Sequence, residues 1–377
     1  MLTKLKQLDW VIILILILFM VIGTLLINSS DIPSQVTKHV KLFLLGFITM
    51  IFFSLMDYRL LIKWAYFIYG FGIILLVGLI FFGVTINGAE GWYSFEPIGL
   101  GFTFQPAELV KITLIIMIAY MLKKRDGEPL TIVNDLLPIG LSVLIPFTFV
   151  IMQPDLGNAI IYIVIFIGML WIGNLKYTYV LISILLISVI AFTSFQVYQT
   201  FHGQIVTFLS DSGKGHWTER IDAILFPEVA GDTYHQDQAI MAIGSGGLLG
   251  EGYSNGTVTV PYDYSDSIFA IVGEEFGFIG SSLLLLLYFL LIYRLIIIAI
   301  QSKDLAGAYI IVGITSMFLF QIFENIGMLI GIMPLTGITL PFISYGGTSI
   351  LINMMSIGIA MSIKVHQDSP WMYDDDY

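Results

Sequence analysis

Ten times between residues 9 and 363 the chain returns to a run of 17 to 31 mostly apolar residues. A hydrocarbon layer about 30 Å thick takes about 20 such residues per helix. Lipid offers no hydrogen bonds to the backbone, so each run that enters it must close its own bonds as a helix. The runs fall at about 9–28, 38–56, 64–84, 105–122, 136–152, 157–173, 178–198, 268–298, 306–330 and 345–363, separated by charges and by Gly, Pro, Asn and Asp clusters. The eighth carries the polar Glu274-Glu275 near its start and can enter obliquely. Only 11% of the 377 residues are charged, too few to cover water-soluble cores holding the 57% that are hydrophobic. A soluble enzyme is thereby excluded. The chain has no cysteine, which excludes disulfides and thiol chemistry. Its net charge of −11 argues against nucleic acid as a partner.

Lys and Arg collect on the cytoplasmic side of membrane proteins. With the N-terminus inside, that side holds eleven of them, and the outside holds four: Lys38, Lys41, Lys214 and Arg220. Lys4 and Lys6 before an apolar run also fit a signal peptide, but no small-residue cleavage site follows at Asn28-Ser29-Ser30, so this run reads as a retained first helix. The fold class expected is an all-α polytopic membrane protein of about ten transmembrane helices, with both termini cytoplasmic. One long extracellular loop, about 199–267, joins helices seven and eight. Residues 1–366 read as one membrane domain and 367–377 as an acidic cytoplasmic tail.

Charges inside membrane helices are costly and mark candidate sites. Glu108 and Lys111 lie three apart, on one helical face. They can form a self-neutralising structural pair or line a polar cavity. Asp155 follows Pro154, which breaks one helix, and can cap the next. Glu274 and Glu275 point about 100° apart, so one of them is expected to be structural. Glu324-Asn325, flanked by Gly327 and Gly331, suggests a buried polar contact where helices approach closely. His235 reads as a loop histidine, and no His pattern has metal-ligand spacing. The loop ends in Pro261-Tyr262-Asp263-Tyr264-Ser265-Asp266-Ser267, where a carboxylate meets the membrane surface and can act as a general base.

Five segments now carry a resemblance. Gln105-Pro106-Ala107-Glu108-Leu109-Val110-Lys111, Gln153-Pro154-Asp155-Leu156-Gly157, Ala242-Ile243-Gly244-Ser245-Gly246-Gly247, Gly273-Glu274-Glu275-Phe276-Gly277-Phe278-Ile279-Gly280, and the stretch from Asn325 through Pro334-Leu335-Thr336-Gly337 to Ser344-Tyr345-Gly346-Gly347-Thr348-Ser349 resemble, in order, the motifs of the SEDS (RodA/FtsW/SpoVE-like) family. The resemblance covers about residues 9–366. It implies a peptidoglycan glycosyltransferase that polymerises lipid II on the outer face of the cytoplasmic membrane, with a class B penicillin-binding protein transpeptidase as partner and membrane lipid around it.

The five-residue offset from Pro261 puts the family's catalytic Asp at Asp266. Glu108, Lys111, Arg220, Asp155, Gln238, Glu275 and Ser344 are the candidate substrate and cavity residues. A diphosphate leaving group needs positive charge, which Lys111, Arg220, Lys38 or Lys41 can supply, or a bound divalent cation, Mg²⁺ or Mn²⁺, the source expected here. The chain departs from the family in having Tyr262, Tyr264 and Ser267 around the Asp, and His235 where a Gln usually follows a Tyr. Such departures mark a divergent paralogue. A carrier or flippase for the same precursor and a catalytically impaired scaffold of a cell-wall complex are the rival readings.

Overall fold

The computed structural model describes residues 6–30, 32–86, 89–95, 103–211, 218, 222 and 234–367. Arg220, Lys214 and the acidic tail beyond 367 lie outside the described residues. The protein is a bundle of helices, and eight of them are long and apolar enough to cross a membrane. These are α1 (Trp10–Ser29), α2 (Val36–Leu55), α4 (Ala65–Phe82), α6 (Leu137–Met152, lengthened by one π turn from Ile132), α8 (Tyr177–Asp211), α10 (Ile268–Gln301), α11 (Leu305–Leu329) and α12 (Gly347–His366). A short α3 (Tyr58–Lys63) precedes α4. At the two other places marked by the sequence stand α5 (Pro106–Lys123), which carries three charged residues, and α7 (Leu156–Ile172), of 17 residues.

Burial explains why α5 tolerates its charges. Nearly all of its side chains face other helices, whereas α1, α2 and α4 keep exposed Leu, Ile and Phe on one side, the surface expected of lipid contact. Small residues set the closest approaches. A Cβ on Gly358 of α12 would stand 2.6 Å from the Met50 carbonyl of α2, and one on Gly46 would stand 2.8 Å from Met354. Backbones therefore touch along the α2–α12 seam.

Two features correct the loop expected at 199–267. Helix α8 runs on to Asp211 through a break at Phe201. Residues Tyr234–Ser245 form α9, held to α10 through its small residues: a Cβ on Gly273 would meet Ile243 at 2.9 Å. His235 is therefore helical, not a loop residue. Between α4 and α5 three short strands, Val84–Ile86, Ala89–Ser94 and Thr103–Phe104, pair antiparallel, the only sheet among the described residues.

Helix α10 is broken at Gly277, which has φ +61° and ψ −159°. The backbone groups freed there are taken up by residues 247–252. Glu251 N donates to Glu274 O at 2.9 Å and Gly252 N to Glu275 O at 3.1 Å, while Phe278 N donates to Gly247 O at 2.9 Å. Non-helical backbone at membrane depth is tolerated where protein supplies such partners. This break gives the eighth segment its interrupted entry, and the Gly-rich turn after α9 is what fills it.

Candidate active site

A cavity of about 490 Å³ opens at one end of the bundle. Its walls come from the starts of four helices: Gln105 and Glu108 of α5, Asp155 and Asn158 of α7, Asp266 just before α10, and Gly346, Gly347, Thr348 and Ser349 at α12. Trp92, His235, Tyr262 and the 335–339 segment complete it. Four helix N-termini directed at one space each add a partial positive charge, set against the carboxylates of Glu108, Asp155 and Asp266 in the same wall. The N-terminus of α12 has no side-chain cap.

Asp266 lies half-buried in this wall, on a turn pinned at each step. Asn325 of α11, fully buried, donates from Nδ2 to the carbonyls of Asp266 at 2.6 Å and Ile338 at 2.7 Å. Ser344 Oγ donates to Ser265 O at 2.6 Å and accepts from Leu340 N at 2.8 Å. Tyr345 N donates to Tyr264 O at 2.9 Å. Loss of water pushes the Asp266 carboxyl up to about 6, against the pull of a backbone hydrogen bond. Such a group is mostly ionised at neutral pH yet still basic enough to take a proton.

The other expected residues divide. Asp155 both caps α7, through Asn158 N at 3.0 Å, and faces the cavity, where Gln105 Nε2 reaches it at 2.9 Å. Glu108 faces the cavity as well, but Lys111 does not. Its ammonium is fully buried one turn deeper, 2.7 Å from Glu108 Oε1. The pair thus neutralises itself and presents its carboxylate end. Ser344 stands behind the wall and holds the Asp266 turn. Gln238 is half-buried on α9, outside the lining. Glu275 is away from the cavity, bonded to Ser29 at the end of α1, because the helix break turns it toward α1. Glu274 is structural, taking Thr257 N at 2.6 Å and Val258 N at 2.9 Å. Asn325 makes the buried polar contact expected from the glycines beside it, and His235 was the member whose place the sequence did not reveal.

No Lys or Arg lines the cavity among the described residues. Nor do three His, Asp or Glu side chains converge there as metal ligands. Asp155 already commits its oxygens to Gln105 and Asn158, so the lining carboxylates left to meet a divalent cation are Glu108 and Asp266.

The buried pair yields a stability prediction. Lys111→Ala strands the Glu108 carboxylate and should cost about 3–5 kcal/mol, read as a lower unfolding temperature in detergent. Glu108→Gln with Lys111→Met should recover most of it. An unchanged temperature for Lys111→Ala would show that the pair contributes nothing.

A multi-pass membrane protein with a polar cavity walled by helix N-termini and by the carboxylates of Glu108, Asp155 and Asp266 is the class that fold and site define. The chain belongs to the FtsW/RodA/SpoVE family, whose model, described as "Cell cycle protein", matches residues 6–369. It is 32% identical over 371 residues to the peptidoglycan glycosyltransferase MrdB of Escherichia coli K12, covering 96% of this chain and 94% of that one. In fold it resembles the crystal structure of the Thermus thermophilus rod shape determining protein RodA (TM-score 0.70, 24% identity, 96% and 98% of the two chains). It also resembles a chain from a study of polymerization and crosslinking by a peptidoglycan synthase complex (TM-score 0.79, 24% identity, 96% and 99%).

Proposed function

We propose that this chain is a lipid II polymerase, a peptidoglycan glycosyltransferase with Asp266 as its general base. The observation that carries the reading is the placement of the Asp266 carboxylate in a cavity wall built from helix N-termini, so that base and anion-stabilising dipoles face the same space. Asp266 takes the proton of the acceptor sugar's 4-hydroxyl as that oxygen attacks the anomeric carbon of the donor. The bond from that carbon to the diphosphate breaks, and the polyprenyl diphosphate leaves with the electron pair. A single displacement inverts the centre, turning an α-linked donor into a β-linked strand. The N–H groups at the start of α12, free of a side-chain cap, face the growing charge on the diphosphate. A divalent cation would come with the diphosphate oxygens, taking one or two carboxylates at most.

The cavity opens on the outer face of the cytoplasmic membrane. Support comes from the Lys and Arg bias, and from α5, α7, α10 and α12, which all begin at the cavity and end at Lys123, Ile172, Gln301 and His366. Uncrosslinked strands need a second enzyme, and a class B penicillin-binding protein transpeptidase fits that role. The likeness to a chain from a synthase complex that polymerises and crosslinks supports it.

The test is purified protein with lipid II alone, in detergent. Glycan strands that a muramidase digests are the expected product. Lipid II moved across vesicles without a new glycosidic bond would instead make the chain a carrier, and neither outcome with a folded protein would make it a scaffold.

A further inference from the structure

The turn that carries Asp266 is held at both ends by one side chain. His235, on the first turn of α9, places Nε2 2.6 Å from the Oγ of Ser267, and its ring lies 5.9 Å from that of Tyr262. Ser267 is fully buried and follows Asp266 directly, whereas His235 and Tyr262 both line the cavity. The turn needs such holding. Tyr262 has φ +55°, a left-handed conformation that a bulky residue seldom adopts, and its carbonyl accepts from both Ser265 N at 2.9 Å and Ser267 N at 3.2 Å. Residues kept in such conformations persist only when their surroundings over-determine them. Asn325 and Ser344 fix the backbone of the turn from α11 and the 335–346 segment. From the α9 side His235 adds a side-chain bond to Ser267.

We infer that His235 and Ser267 form a positioning pair that sets the direction of the Asp266 carboxylate for proton abstraction. The inference rests on the polymerase reading above. His235 acts through Ser267 and the turn, not by touching the reacting atoms. A displaced base loses rate in the chemical step while the lipid-linked substrate, bound by the rest of the cavity, is held as before. Misplacement by about 1 Å can cost about 10²-fold.

The experiment is steady-state polymerisation of purified lipid II by wild type, His235→Leu, Ser267→Ala and the double variant, with His235→Gln as the conservative change. Each single variant should lower kcat about 10- to 100-fold at constant KM. The double variant should be no slower than the slower single one, since one contact is lost in all three. The Gln amide can reach the same hydroxyl and should recover part of the loss. Multiplicative losses in the double variant would overturn the inference, because the residues would then act separately. A raised KM with kcat intact would also overturn it, making His235 a substrate contact. Ser267→Ala removes a single buried oxygen, so it carries the test if His235→Leu does not fold, and a wild-type rate in that variant would sink the pair. Failure of the wild type to polymerise would instead reject the polymerase reading itself.

Discussion

Asp266→Asn is expected to lower the rate of lipid II polymerisation by about 10²–10⁴-fold, because the amide keeps the shape of the carboxylate but cannot take the proton. Folding should not suffer. The Asp266 carboxyl is pushed up to about 6 from an ordinary value of 3.8, so the folded state binds more protons than the unfolded state between those values. Stability then falls as pH rises through that window, and above it the ionised carboxylate is a net cost to the fold. Removing it should leave the unfolding temperature at pH 7.5 unchanged or raised. Asp263→Asn is the internal control. Asp263 is buried three residues earlier in the same turn and does not line the cavity. Equal losses in the two variants would point to local negative charge, not to a base.

Gly277→Ala should have the largest effect on the fold. The glycine's φ of +61° with ψ of −159° is a region that side-chain-bearing residues avoid, and a Cβ there would stand 2.4 Å from Gly250 N and 2.8 Å from the Leu248 carbonyl carbon. Neither backbone atom can swing aside without giving up the bonds that 247–252 make to the broken helix. Backbone strain and overpacking together put the cost at about 2–6 kcal/mol. The expected readout is a large drop in unfolding temperature and in yield. Gly244→Ala, with nothing within 4 Å of its Cβ position, is the matched control and should be tolerated. A Gly277→Ala protein as stable as wild type would mean that the break in α10 is not held in this way.

The helices were legible because lipid demands long apolar runs, and helices stand at all ten marked places. The Asp155 cap was legible from Pro154, and the polar contact at Asn325 from the glycines beside it. Orientation of side chains was not legible in the same way. Spacing put Glu108 and Lys111 on one face of α5 but could not say which end met the cavity, since that depends on how α5 is turned in the bundle. Adjacent Glu274 and Glu275 gave one structural carboxylate as expected. The other faces Ser29 because of a helix break whose partners, residues 247–252, lie upstream of Gly277 in the chain. Nothing local joins His235 to Ser267, 32 residues apart. Asp266 itself stood out from Asp263 by resemblance to the SEDS motif, and only the folded chain shows the one in the cavity wall and the other buried behind it. The convergence of four N-termini is a property of topology that no single motif contains.

The central claim, that ionised Asp266 is the base, is met most directly by the pH dependence of the initial polymerisation rate for wild type and Asp266→Asn on purified lipid II. For wild type the rate should fall about tenfold per pH unit below about 6 and level off above it, as the carboxyl loses its proton. The Asn variant should be slower at every pH and show no step near 6. A wild-type profile flat through that region, or an Asn variant that traces the wild-type curve, would contradict the assignment.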